Sequence, residues 1–363
     1  MSTQVFAEGA SRHVLPRTSP VEYCPICGAK GARFLFQAPD RLHGTPGEYV
    51  YRRCATCRTV FQDPRIINDD LWICYPGGYY THIPPDKSDL EAIENGSPQR
   101  GFAWARDGVR RAIVASVQGV PQAGLVGWLG RVFSSSRRLR ERAFFNHVPD
   151  VLIPTAPGRL RALDVGCGSG HIMMALKRVG WDVEGVEWDH ESAEIAREVS
   201  GQHVCEGDFL HLDLQPNTYS LILLSHVFEH FDSPVLVLHR IRELLISGGR
   251  AVLFYPNPES LGARFFGSAW YPWEVPRHLV LPPARTLANA ARSIGLFPLK
   301  VRTNCKHAAA YFAQSRKYLS GRAVIETAPD ISVRDRCFAQ LEGLLAHWPF
   351  HLGEEVMLVL QKR

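Results

Sequence analysis

The run LDVGCGSG, residues 163–170, decides how this chain is read. It puts Gly166, Gly168 and Gly170 after an apolar stretch, RALDVG, and just ahead of HIMMALKRVG, which patterns as a helix. Glycines at such a turn let the backbone reverse tightly and let a ligand approach it closely. A dinucleotide fingerprint needs G-x-G-x-x-G or A. Counted from Gly166, the last position is His171, which weakens a nicotinamide reading.

Downstream, the chain alternates. WDVEGVEW, HVCEGDF, SLILLS and RAVLFYP pattern as strands, and HESAEIAREVSG as a helix ending on Gly201. SPVLVLHRIRELLISGG reads as a helix with a Ser-Pro start and a Gly stop, PARTLANAARSIG as another, and LKVRT and EEVMLVLQKR as closing strands. Strands alternating with helices imply a mostly parallel sheet covered on both faces. Residues 307–350 are expected to form a helical insertion before the last strand.

Further features fall in register with the glycine turn. Glu187 ends the second strand, 21 residues after Gly166, where a carboxylate can accept ribose hydroxyls. Asp208 and Phe209 end the third strand in EGDF, and ISGGRAVLFYPNP leads into the fifth. With Asp164 inside the turn, this pattern over about 159–303 resembles class I methyltransferases that use S-adenosylmethionine (SAM). The resemblance implies an α/β, Rossmann-like, seven-stranded, mostly parallel sheet. It assigns the cofactor to Asp164, Gly166, Gly168, Gly170, Glu187, Asp208, Phe209 and Ser225, with Asp164 orienting the turn or reaching the methionine amine.

Cys24-Pro-Ile-Cys27 and Cys54-Ala-Thr-Cys57 are two C-x-x-C knuckles. Four thiolates on two tight turns supply the tetrahedral shell of a structural, not catalytic, Zn2+. Cys74, Cys167, Cys205, Cys305 and Cys337 read as packing residues. CPICG…YRRCATCRTVFQDP…YPGGYY resembles the N-terminal zinc ribbon of bacterial methyltransferases that act in sugar, polysaccharide and natural-product pathways. The implied organisation is a loose tail at 1–20, the ribbon at 21–85, a helical linker or cap at 86–158, and the methyltransferase domain at 159–363.

SHVFEHF, residues 225–231, has the H-x-x-E-H spacing of some zinc peptidases. Here it follows the buried fourth strand at once, where class I methyltransferases face the methyl acceptor. In one reading His230 is a general base oriented by Glu229, its imidazole titrating near neutrality. In the other, His226, Glu229 and His230 hold a divalent cation. Ubiquinone-type methyltransferases carry Glu at the place of His226, and Mg2+ prefers oxygen ligands. From YPWEVPRHLVLP, Trp273, Glu274, Arg277 and His278 are expected to line the acceptor site, Arg277 on a phosphate, with His278 a rival base. Tyr79 and Tyr80 of YPGGYY are candidate lid residues over the acceptor.

Composition fits a globular chain of two domains. At 45% hydrophobic and 21% charged residues, the 363 residues can bury a real core. No apolar run is long enough to span a bilayer, and the N-terminus lacks a secretory leader, so a cytoplasmic protein is expected. Residues 100–142 carry nine Arg against two acidic residues, a stripe suited to phosphates or an anionic membrane surface. The favoured function is methyl transfer to oxygen or carbon of a hydroxylated small molecule, a sugar or a nucleotide- or lipid-linked glycan. Two alternatives stay open: an RNA methyltransferase and a non-catalytic adaptor.

Overall fold

The computed structural model describes residues 14–75, 108–109, 112–113, 116, 124–135, 160–178, 180–320, 330–346 and 351–363. Tyr79, Tyr80 and most of the basic 100–142 stretch lie outside these residues.

The chain opens with β1 (Thr18–Ser19), β2 (Ala32–Pro39), β3 (Glu48–Cys54), β4 (Val60–Gln62) and β5 (Arg65–Ile66). After α1 (Gly124–Ser134) come β6 (Leu160–Val165), α2 (His171–Arg178), β7 (Trp181–Glu187), α3 (His190–Ser200) and β8 (His203–Glu206). Next are β9 (Tyr219–Ser225), α4 (Pro234–Leu244), β10 (Leu245–Pro256), α5 (Leu261–Phe266), β11 (Val280–Leu281) and α6 (Ala284–Ser293). The chain closes with β12 (Leu296–Asn304), α7 (Ala308–Leu319), α8 (Val333–Leu345) and β13 (Glu355–Lys362). Seven strands form one sheet in the order β12-β13-β10-β9-β6-β7-β8. Two compact units divide the chain: Tyr80–Leu223 with Leu244–Val252, and Met1–Tyr79 with Leu224–Glu243 and Leu253–Arg363.

In the first unit β6, β7 and β8 pair in parallel, with Val165 opposite Val186 and Glu187 opposite Glu206. Leu221, Ile222 and Leu223 of β9 are fully buried, as a strand covered on both faces requires. Helix α3 starts where the Asp189 carboxylate accepts from the Ser192 N–H, and stops at Gly201 with a left-handed φ of 60°. The helix expected to run through ISGG instead ends at Leu244, and those four residues belong to β10. A Cβ on Gly249 would meet the Tyr219 carbonyl oxygen at 3.0 Å, so this glycine serves close strand approach and not a helix stop.

In the second unit β2, β3 and β4 form an antiparallel ribbon, and β11 adds a fourth strand, Val280 opposite Phe61. The ribbon therefore does not close on itself within 21–85. The Tyr51 hydroxyl donates to the His278 carbonyl, and Gln62 Nε2 to that of Pro276. The insertion is helical where described: α7 and α8 pack with the Phe312 and Phe338 ring centroids 3.9 Å apart. Antiparallel β12 and β13 complete the unit. Among the described residues, no helix is long and apolar enough to cross a membrane.

Candidate functional site

The glycine turn is held by the strand beside it. The N–H groups of Gly166 and Cys167 both donate to the Val186 carbonyl, at 2.7 and 3.1 Å. Gly168 and Gly170 have φ of 52° and 78°, a region that side chains rarely enter. A Cβ on Gly170 would meet the Ala196 carbonyl oxygen at 2.9 Å, so the turn lies directly on α3. Glu187 locks it from the next strand. Its carboxylate accepts from the N–H groups of Gly168 (2.8 Å), Trp188 (2.9 Å) and Asp189 (3.2 Å). Burial pushes its pKa up against those bonds.

Asp164 is fully buried beneath this turn, and its Oδ2 has no hydrogen-bond partner. Burial, with the Glu187 charge, pushes its pKa up to about 8. A buried, unpartnered carboxylate oxygen invites a donor, and the amine of an amino-acid-bearing ligand is one. Phe209 is buried, and the exposed Asp208 accepts from the Leu210 N–H and faces His211 Nδ1 at 2.7 Å. Ser225 is the last residue of β9 and falls in the other unit.

That second unit holds a different cluster. Glu229, in the short helical turn Phe228–His230, is fully buried, and neither carboxylate oxygen is hydrogen-bonded. Glu229, His230 and His278 offer ligand atoms that all lie within 4.8 Å of one another. His278 Nδ1 lies 2.9 Å from the Pro272 carbonyl oxygen. A carbonyl can only accept, so this nitrogen carries the proton. The neutral ring then turns its Nε2 lone pair toward Glu274 Oε2 at 3.6 Å and Glu229 Oε1 at 3.8 Å. The three groups thus face one another through acceptor atoms.

His226 is not part of this set, which corrects the expected His226–Glu229–His230 trio. Its backbone is left-handed (φ 56°) and its N–H is tied to the Phe254 carbonyl. The ring is thereby carried to Glu355, 2.7 Å away, and lies 3.5 Å from Glu229. Burial opposes the charge, but the two carboxylates hold this imidazole well above its usual pKa. His230 differs from expectation too. Burial, then the neighbouring His278, pushes it down to about 4 and not to neutrality. His278 is likewise pushed down to about 4, chiefly by burial. Burial would raise the Glu229 carboxyl, but His226 and the other imidazoles hold it below the ordinary carboxylate range.

Two residues expected at the acceptor site are tied into the protein's own structure. Arg277 is fully buried, and its guanidinium spans Asp40, with Nη1 and Nη2 at 3.0–3.1 Å from the carboxylate. It is a structural ion pair, and a phosphate-bearing acceptor loses the residue chosen to bind it. Trp273 is buried, and its indole N–H donates to the Gly267 carbonyl.

The four ribbon cysteines converge. Cys24 and Cys57 sulfurs lie 3.5 Å apart, and those of Cys27 and Cys54 3.7 Å. The edge of a tetrahedron with metal–sulfur bonds of about 2.3 Å is about 3.8 Å, so the set fits a four-coordinate Zn2+. Both knuckles turn alike: Gly28 donates to the Cys24 carbonyl and Arg58 to that of Cys54, both in left-handed backbone.

Residues 136–301 match the family model described as "Methyltransferase domain". The matched residues are 166 of the chain's 363. Over 128 residues it is 31% identical to the ubiquinone biosynthesis O-methyltransferase of Cereibacter sphaeroides, covering 33% of this chain and 52% of that protein. The enzyme of the same name from a Ruegeria species is 29% identical, over 30% of this chain and 47% of its own length. The chain thus spans about half the length of these relatives. Among solved structures, a SAM-dependent methyltransferase, possible histamine N-methyltransferase, of Thermotoga maritima is 20% identical with a TM-score of 0.40. That match covers 58% of this chain and 84% of the other.

Sequence reading missed three residues around these sites. The Tyr75 hydroxyl sits 2.7 Å from His230 Nδ1, Glu355 holds His226, and Asp40 holds Arg277. Glu274 and His278, both expected near the acceptor, do face each other at 3.6 Å. The three missed residues are brought in from 129 to 237 residues away and had no spacing signal.

Proposed function

We propose that this protein is a SAM-dependent methyltransferase acting on a hydroxylated small molecule. The observation that carries the reading is the glycine turn of residues 166–170 clamped by Glu187 over the unpartnered Asp164 carboxylate, within a chain that matches the methyltransferase family. Asp164 would take the cofactor's amine and Glu187 its ribose hydroxyls; SAM supplies an electrophilic methyl on sulfur. The residues' own work is alignment of that methyl with the acceptor and exclusion of water.

The acceptor chemistry belongs, in this proposal, to Glu229, His230 and His278. Ionised Glu229 accepts a hydrogen bond from the acceptor hydroxyl. An imidazole pushed to about 4 is a weak base toward a free hydroxyl. As the methyl arrives, however, the oxygen becomes positive and its proton strongly acidic, so a weak base suffices. The name shared by the two relatives supports oxygen as the target. The ribbon's likeness to sugar and natural-product enzymes puts sugar-bearing acceptors first in a screen, beside phenols.

A second reading keeps the reaction and places a divalent cation among the same three groups. The convergence of Glu229, His230 and His278 ligand atoms within 4.8 Å favours it. The test is methyl transfer from labelled SAM to panels of glycosides, nucleotide sugars, phenols and RNA. Transfer to RNA alone would replace the small-molecule reading, and SAM binding without any transfer would favour an adaptor. A chelator too weak to strip the four-cysteine site separates base from cation: only the cation reading predicts lost turnover, restored by added metal.

A further inference from the structure

A third group of ligating side chains lies on the sheet edge of the first unit. His203 and Cys205 are alternate residues of the edge strand β8, so they share a face; Glu184 on β7 pairs opposite His203. His203 Nδ1 lies 3.1 Å from Glu184 Oε1, Cys205 Sγ 3.4 Å from the same oxygen, and Sγ 3.7 Å from Nδ1. Around a tetrahedral Zn2+ with ordinary bond lengths, oxygen–nitrogen, oxygen–sulfur and nitrogen–sulfur separations are about 3.4, 3.6 and 3.6 Å. All three observed distances fall within about 0.3 Å of those values.

The carboxylate is also aimed. Glu184 Oε2 accepts from the Tyr219 hydroxyl at 2.5 Å and from Arg161 Nη2 at 2.9 Å, which turns Oε1 to the histidine and cysteine. The Arg161 guanidinium in turn lies over the Tyr219 ring, 5.2 Å from its centroid. Outer partners that fix a ligand's orientation are what a metal site needs beyond its ligands. The side chains offer nitrogen, oxygen and sulfur, a donor set that suits Zn2+ better than Mg2+ or Ca2+. Sequence reading placed Cys205 among packing residues, yet its sulfur faces two ligands and not a core.

We propose that Glu184, His203 and Cys205 bind one Zn2+, with the fourth position open to water. On binding, the Cys205 thiol proton leaves to solvent. His203 carries its proton on Nε2 so that Nδ1 bonds the ion, and Glu184 binds as the carboxylate. No electron transfer is involved. The site is independent of the methyl-transfer proposal.

The test uses the full chain with its four-cysteine site already loaded with Zn2+. Cobalt(II) is then titrated without oxygen, and the near-ultraviolet thiolate-to-cobalt band is followed beside equilibrium dialysis with Zn2+. The expected result is one further ion whose band carries a single thiolate. Glu229, His230 and His278 offer no thiolate, so an ion among them is silent in this band. Cys205→Ser should remove the band, and His203→Ala should weaken Zn2+ binding at least about 100-fold, the upper range for lost metal-site partners. Tyr219→Phe should weaken it about 10-fold through the freed carboxylate. A band unchanged in Cys205→Ser, or no single-thiolate band in the wild type at micromolar cobalt, overturns the proposal. Melting curves of each apo variant matching the wild type tie any loss to ligation and not to unfolding.

Discussion

The Asp40–Arg277 pair offers a sharp test of how the second unit is held together. Both side chains are fully buried. Asp40 also accepts from the Leu42, His43 and Thr45 N–H groups and from the Thr45 hydroxyl, so every donor around it is matched to a negative charge. Asp40→Asn keeps the shape but leaves the guanidinium buried without its counter-charge and turns an amide N–H₂ toward donors. Removing one partner of a buried pair costs about 3–5 kcal/mol. For a unit of roughly 200 residues this is a fall in Tm of about 6–20 °C. Melting can be followed through Trp270 and Trp273, both buried in this unit, with the four-cysteine metal retained. Arg277→Met alone should be similarly harmful, whereas Asp40→Leu with Arg277→Met should cost less than the two single losses summed, although the Leu42, His43 and Thr45 N–H groups then lose their acceptor. An Asp40→Asn protein within about 1 kcal/mol of wild type, or losses that simply add, would refute the reasoning.

Purified protein should hold one zinc in the ribbon, lost in the double variant Cys24→Ser/Cys57→Ser, as elemental analysis at stoichiometric metal would show. Glu187→Ala should weaken SAM binding by about 1.5–3 kcal/mol, the range for hydrogen bonds involving a charged group; equal calorimetric affinity would remove the ribose assignment. Asp164, raised to about 8, is protonated in the free protein at neutral pH, and the fold loses stability as rising pH ionises it between the ordinary carboxylate range and about 8. A cofactor amine that prefers the carboxylate must therefore release this proton. SAM affinity should rise by up to about tenfold per pH unit until pH 8, with buffer-dependent binding heat; a flat profile matching that of Asp164→Asn would sink the amine assignment.

Much of the sheet was legible because local chemistry declares it. The glycine turn, the Gly201 stop and the uninterrupted LILL run each belong to one short stretch whose neighbours set its structure. The cysteine knuckles are equally local. What the sequence hid are contacts across distance. Nothing in SHVFEHF says that a left-handed backbone at His226 sends that ring to Glu355, or that His278 fills the vacated place. Arg277 looked like a phosphate ligand because its partner, Asp40, lies 237 residues away. The pKa expectation for His230 failed for the same reason, since burial and a second imidazole are properties of the folded neighbourhood.

The strand that completes the ribbon has a consequence for the order in which the protein is made. Tyr51 and the His278 carbonyl it bonds are 227 residues apart, and β11 lies just beyond. At about 5–20 residues per second of synthesis, some 10–45 s pass between the emergence of one side of that sheet and the other. Cys54 and Cys57 follow Tyr51 within six residues, so all four cysteines are out early in that interval. A nascent chain can thus gather its metal early while the β4 edge, with the Phe61 it will bury, waits unpaired. During that time the edge is open to pairing with another chain. Metal supply and crowding on the ribosome, more than the finished protein's stability, would then govern how much of it reaches the folded state.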